Sequence, residues 1–184
     1  MAKAIGATFV RLDVSSENDW MEIACQFRRI DVIVNNAGIT GCAGPVDSTP
    51  HAHDPENTEL SDWRAVNAVN SDGTFLGCRC AMRAMRENGG GSIINISSRS
   101  GLVGSRCCGL CLIQSGSSQP HQERRSLLRQ SDLNIRCNSI HPAAVMTPMW
   151  KPMLGTGPDH EDREAALVRD TPRYANFIRP SAQR

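Results

Sequence analysis

Three stretches of this chain are almost wholly apolar and rich in β-branched residues, and each ends in turn-forming residues: IDVIVNNAG at 30–38, GSIINIS at 91–97 and NIRCNSI at 134–140. A strand with one wet face alternates apolar and polar residues, so runs without that alternation read as strands buried on both faces of a parallel sheet. Parallel neighbours need long crossovers, usually helical. The segments between the runs supply them. SSENDWMEIACQFRR (15–29) opens with Ser as a cap, carries acids in its first turn and spaces Trp20, Ile23 and Phe27 along one helix face. SDWRAVNAVNSDGTFLGCRCAMRAM (61–85) puts Trp63, Val66, Asn70, Gly73, Gly77 and Cys80 on one face at steps of three and four. ATFVRLDV (7–14) reads as a further short strand ending at Asp13, and IDVIVNNAG is expected at the centre of the sheet. The sum is a doubly wound α/β domain without internal repeats.

A chain of 184 residues is one ordinary domain. Its net charge of +1 offers no broad attraction for nucleic acid or anionic lipid. No stretch approaches the roughly 18–20 apolar residues needed to span a bilayer, and the opening MAKAIGATFVRLD has no signal-peptide core. The expectation is a cytoplasmic protein with neither nucleic acid nor membrane as partner. Eight Cys without a secretory signal are expected to be reduced thiols.

The turns carry more information than the strands. DV at 13–14, NNAG at 35–38, the Asn-bearing long helix, SIINISS at 92–98 and IRCNSIHPAAVMTPM at 135–149 follow one another in an order and spacing that resembles the short-chain dehydrogenase/reductase family. The resemblance covers most of residues 1–104 and 133–155. It implies a Rossmann-type sheet and hydride transfer between NAD or NADP and a secondary alcohol or ketone. It also implies a small-molecule substrate, and intact relatives that are homo-oligomeric. An alternative is a catalytically inactive remnant acting as an interaction partner for an intact homologue.

In such sheets ligands lie in the crevice beyond the carboxyl ends of the strands. Asp13, Asn35, Ala37, Gly38 and Ser98 stand at such ends. Ala37 and Gly38 are small enough for backbone to approach a flat ligand, although Asn35 and Asn36 could equally do no more than close a turn. By the resemblance, Asp13 and Val14 meet the adenine, and the backbone of Asn35, Ala37 and Gly38 lies along the adenine ribose. Pro142, Val145 and Thr147 fit the far motif, with Val145 backbone and Thr147 hydroxyl at the nicotinamide carboxamide; Ala143 replaces the usual Gly. Asn70 is an amide on an apolar helix face, and without partners it would cost roughly 1–3 kcal/mol. The resemblance makes Asn70 the catalytic asparagine that distorts its helix and holds a water, with Asn67 as rival. Ser98 matches the catalytic serine, with Ser97 as rival. MTPMWKPMLG at 146–155 resembles the substrate-lid region of hydroxysteroid and cyclic-alcohol dehydrogenases.

Two features depart from the family pattern. The Gly-rich turn after a first strand, which holds a pyrophosphate on a helix N-terminus, does not occur. The expected sheet is therefore incomplete, lacking the first two strands and the last. Cofactor affinity is expected to be weak. The second departure is GLVGSRCCGLCLIQSGSSQPHQERRSLLRQ at 101–130, where Tyr and Lys four residues apart should follow Ser98 by 12 or 13 residues; the chain's single Tyr is Tyr174. Cys107, Cys108, Cys111 and His121 are poorly spaced for zinc, so no metal is expected. A frame error over 105–130 accounts for the stretch better. TTA TGC CTC ATC CAA AGT codes for Leu110 to Ser115 and, one nucleotide later, reads Tyr-Ala-Ser-Ser-Lys.

That reading predicts a codon ending in A at Leu110, CAA at Gln114 and AGT or AGC at Ser115. Sequencing the gene checks it. A third base of C, G or T at Leu110 contradicts it, because no tyrosine codon could then begin inside that triplet.

Overall fold

The computed structural model describes residues 2–27, 29–40, 56, 58–98, 134–142, 147–148 and 157–169. The segment 105–130 lies outside them. Three parallel strands form one sheet: β1 (Val32–Asn35), β2 (Gly91–Ile96) and β3 (Ile135–Ile140), in the order β1-β2-β3. The register pairs Val32 with Ser92 and Asn35 with Asn95 on one side of β2, and Gly91 with Ile135 and Ile96 with Ile140 on the other. The three apolar runs are thus the three strands, as expected for the Rossmann-type α/β class.

Helix α1 (Glu17–Gln26) begins where the sequence signals it. Ser16 caps it by accepting the Asp19 N–H, and the Asp19 carboxylate accepts the Ser16 hydroxyl in return at 2.7 Å, a reciprocal cap at the positive helix end. The long helix is continuous from Leu60 to Glu87 but has three parts: α2 (Leu60–Asn67), a π turn (Ala68–Asp72) and α3 (Gly73–Glu87). It ends at Asn88. Gly89 follows at φ +81°, a left-handed stop that lets the chain turn into β2. Helix α4 (His160–Arg169) lies further along the chain. Among the described residues no helix is long and apolar enough to cross a membrane.

One sheet face is covered by helices. Ile93, Ile135 and Cys137 pack against Cys78, Ala81 and Met85 of α3, while Trp20 of α1 packs with Leu76 and Cys80. Each large apolar side chain buried there contributes about 1.5–3 kcal/mol. The Trp20 indole also donates to the Val14 carbonyl at 2.9 Å, so the turn before α1 is fixed by the residue that docks α1. The approach of α3 to β1 requires Gly77, where a Cβ would stand 2.1 Å from Asn35 Oδ1.

Three expectations change. Residues 7–13 form no ladder, and Phe9 is 80% exposed. A strand is defined by pairing, and no described strand lies beside this β-branched segment. IDVIVNNAG is not central: β1 borders the described sheet and β2 is its middle strand. Finally, burial is one-sided among the described residues, since Val32, Val34 and Ile140, on the face away from α3, are each at least half exposed. An unbroken apolar run reports two faces suited to burial, and the helices described here cover one of them.

Candidate functional site

Across the helix-facing side of the sheet, the rung Ile33–Ile93–Cys137 is apolar, and the next rung toward the carboxyl ends is Asn35–Asn95–Ser139. The change is abrupt. Asn95 is 1% exposed, its Oδ1 accepts from Asn35 Nδ2 at 2.7 Å, and its Nδ2 donates to Cys137 Sγ at 3.6 Å. Cys78 Sγ lies 3.6 Å from the same Oδ1. Left unpaired, the buried Asn95 amide would cost about 1–3 kcal/mol; paired with half-buried Asn35, it holds the ends of β1 and β2 in register.

Beyond this rung the chain leaves β1 through Asn36, Ala37, Gly38 and Ile39, all exposed. Asn70 reaches them from the π turn. Its Oδ1 accepts the Ile39 N–H and its Nδ2 donates to the Ile39 carbonyl, both at 2.9 Å. This two-point clamp holds one extended residue by both backbone groups. The π turn that presents Asn70 has a local cause in AVNSDGT. The Gly73 N–H bonds the Ala68 carbonyl five residues back, the Thr74 hydroxyl donates to the Asn70 carbonyl, and the Ser71 hydroxyl donates to Asn67 Oδ1. Short polar side chains that bond the backbone compete with the regular ladder, and π turns concentrate at functional sites.

The same stretch of helix also receives the DV turn. A Cβ on Gly73 would lie 2.8 Å from Val14 Cγ2, so Val14 packs directly on the residue that ends the π turn. Asp13 beside it is exposed; the Ser15 hydroxyl at 2.7 Å and the Ser15 N–H at 3.0 Å hold its carboxyl below the usual carboxylate range. It is therefore ionised at neutral pH.

Asp13–Val14, Ala37–Gly38 and Asn70 are thus brought to one stretch of the long helix. Ser98 follows the end of β2 and Pro142 the end of β3, one strand further on. Asn35 behaves differently from its neighbours, because its side chain turns into the core toward Asn95. Thr147 is exposed, and Val145 lies outside the described residues. The rivals separate as well. Asn67 donates to the Trp63 carbonyl of its own helix, and the Ser97 hydroxyl is buried without a hydrogen-bond partner among the described residues. No cluster of metal-ligating side chains occurs among the described residues, and the Cys and His weighed for zinc lie outside them.

Sequence reasoning missed Asn95, although it is the one amide within an otherwise apolar run, on the face shared with Ile93. It also missed His141. The His141 ring lies between the Ser139 hydroxyl, 2.9 Å from Nε2, and the Ser98 carbonyl, 3.0 Å from Nδ1.

Comparison with known proteins bears on the family and the fold. A family model described as enoyl-(acyl carrier protein) reductase matches residues 1–173. A 3-alpha-(or 20-beta)-hydroxysteroid dehydrogenase of Mycobacterium tuberculosis is 36% identical over 160 residues, covering 81% of this chain and 55% of the relative. The trans-4-hydroxycyclohexanecarboxylate dehydrogenase of Sinomonas cyclohexanicum is 37% identical over 171 residues, covering 89% of this chain and 61% of the relative. The chain thus spans little more than half the length of these curated relatives. In fold it is similar to a short-chain dehydrogenase/reductase from Burkholderia xenovorans, with a TM-score of 0.74 at 24% identity over 91% of this chain and 62% of that one. It is similar also to one from Burkholderia phymatum in complex with NAD, with a TM-score of 0.69 at 23% identity over 98% of this chain and 57% of that one.

The clamp makes a specific prediction. Asn70→Ala removes both bonds to Ile39 and is expected to destabilise the chain by about 1–3 kcal/mol. Hydrogen exchange at the Ile39 amide should accelerate while exchange at Ile93 and Ile94 in β2 changes little. Unchanged exchange at Ile39 would mean that the clamp does not hold the strand end in solution.

Proposed function

The chain belongs to the short-chain dehydrogenase/reductase family, and on that premise we propose that its strand-end crevice serves hydride transfer between NAD or NADP and a secondary alcohol or ketone. The observation that carries this reading is the Asn70 clamp, which anchors the exposed Ala37–Gly38–Ile39 segment next to the small, open end of β1. A flat, extended cofactor suits such a surface, because Gly38 and Ala37 present little side chain and the Ile39 backbone is already satisfied by protein.

In this proposal the backbone at Ala37 and Gly38 lies along the adenine ribose, and the turn at Asp13 and Val14 borders the adenine, with Asp13 ionised. Pro142, Val145 and Thr147 border the nicotinamide end. The bound cofactor supplies the hydride-transfer chemistry; the chain's own groups orient and polarise. The Ser98 hydroxyl donates a hydrogen bond to the substrate oxygen, favouring the form in which that oxygen carries developing negative charge. Asn70 keeps the strand end in place and contributes its backbone carbonyl, already bonded by the Thr74 hydroxyl, toward a water path for the released proton. The carboxamides of Asn35 and Asn95 hold the register beneath the site.

Substrates are inferred from chemistry shared among relatives. Hydroxysteroid, cyclopentanol and hydroxycyclohexanecarboxylate dehydrogenases are among the proteins this chain is similar to. An alcohol borne on a saturated ring is therefore the proposed class. The relatives' dehydrogenase names favour this over a non-catalytic interaction role.

The test uses the gene with its reading frame restored over 105–130 and with the family's first strand, Gly-rich turn and helix joined upstream, since that turn holds the pyrophosphate. It is expected to reduce NAD or NADP in the presence of a cyclic secondary alcohol, and Ser98→Ala should lower kcat by about 100-fold or more. Turnover indifferent to Ser98→Ala would reject the assignment of Ser98.

A further inference from the structure

We propose that His141 is a positioning residue that holds the backbone of Ser98 in place where the β-ladder can no longer do so. The ladder between β2 and β3 ends with the Ser97 N–H donating to the Ile140 carbonyl at 2.8 Å. In the parallel register that pairs Ile96 with Ile140, the next donor would be the N–H of residue 142. Residue 142 is proline and has none. The Ser98 segment would then leave the sheet without further support from β3. The His141 ring supplies it. Nδ1 lies 3.0 Å from the Ser98 carbonyl oxygen, and Nε2 lies 2.9 Å from the Ser139 hydroxyl.

The chemistry of the partners fixes the proton. A carbonyl oxygen can only accept, so Nδ1 must carry the hydrogen. In the neutral ring Nε2 is then the acceptor, and the Ser139 hydroxyl donates its hydrogen bond to it. Ser139 stands on β3 in register with Asn95, so the ring is anchored to a ladder position and reaches from there to the carbonyl of Ser98. A ring held at both nitrogens has one orientation, and Ser98 inherits it. The catalytic meaning of this placement rests on the reading of Ser98 as the residue that meets the substrate oxygen; the placement itself does not.

The experiment uses the whole chain labelled with 15N and 13C at pH 8. Multiple-bond 1H–15N spectra should show His141 Nδ1 as the protonated, pyrrole-type nitrogen. His141→Leu should shift the Ser98 carbonyl 13C resonance upfield through loss of its hydrogen bond. His141→Asn places an amide N–H close to the position of Nδ1 and should keep that resonance near its original value. The Ser97 amide, bonded to Ile140, should remain protected from exchange in both variants. A pyridine-type Nδ1 would overturn the proposal, as would a Ser98 carbonyl that ignores His141→Leu or moves equally in both variants. Loss of Ser97 protection in both would also overturn it, because His141 would then support the sheet as a whole. None of these readouts needs turnover, so they succeed or fail separately from the Ser98→Ala assay.

Discussion

The hydrogen bond between Asn35 and Asn95 is the constraint on which the rest of the structure depends. A 2.7 Å amide pair inside a sheet whose neighbouring rung is aliphatic leaves little freedom of register. A slip of β1 by one residue against β2 would turn Asn35 to the opposite face and leave the Asn95 amide without that partner. Asn35 is the last residue of β1 and Asn95 the last but one of β2, so the pair transmits that register directly to the residues that face the crevice. It also shapes the packing above it, since only glycine at position 77 lets α3 come close enough to cover the Asn35 side chain.

The long helix turns that fixed sheet end into a site. Over two turns it seats Val14 against Gly73, clamps Ile39 with Asn70 and covers Asn35 with Gly77. Two chain segments that are distant in sequence, 13–14 and 37–39, are therefore held by neighbouring residues of one rigid element. The π turn is what makes this possible, because it changes the helix phase just where the side chain must switch from packing to bonding backbone. Function in this account comes from a defect in a regular helix, flanked by Asn67 and Thr74, whose side chains bond that helix's own backbone.

Much of this was legible in the sequence because the signals were local. The three apolar runs identified the strands, Ser16 and its acids marked the start of α1, and an amide on an apolar helix face singled out Asn70. Pairing was not legible. Residues 7–13 have strand composition but no described partner, and the position of β1 at the border of the described sheet is a property of its neighbours rather than of its own side chains. Asn95 escaped because polar residues in strands are usually outward, and only the register shows that this one faces Cys137 and Cys78. His141 escaped because its role depends on the missing N–H of Pro142, a fact that matters only once β2 and β3 are set side by side.

The most direct test of a cofactor crevice at the strand ends is to titrate the 15N-labelled chain with NAD and, separately, NADP up to millimolar concentration, following each backbone amide. The account predicts that shifts concentrate at Asp13, Val14, Ala37, Gly38 and Ser98 for at least one of the two, even if affinity is too weak to reach saturation, while α4 is unaffected. Shifts that avoid those strand ends, or that appear only on the exposed face of Val32 and Val34, would contradict it.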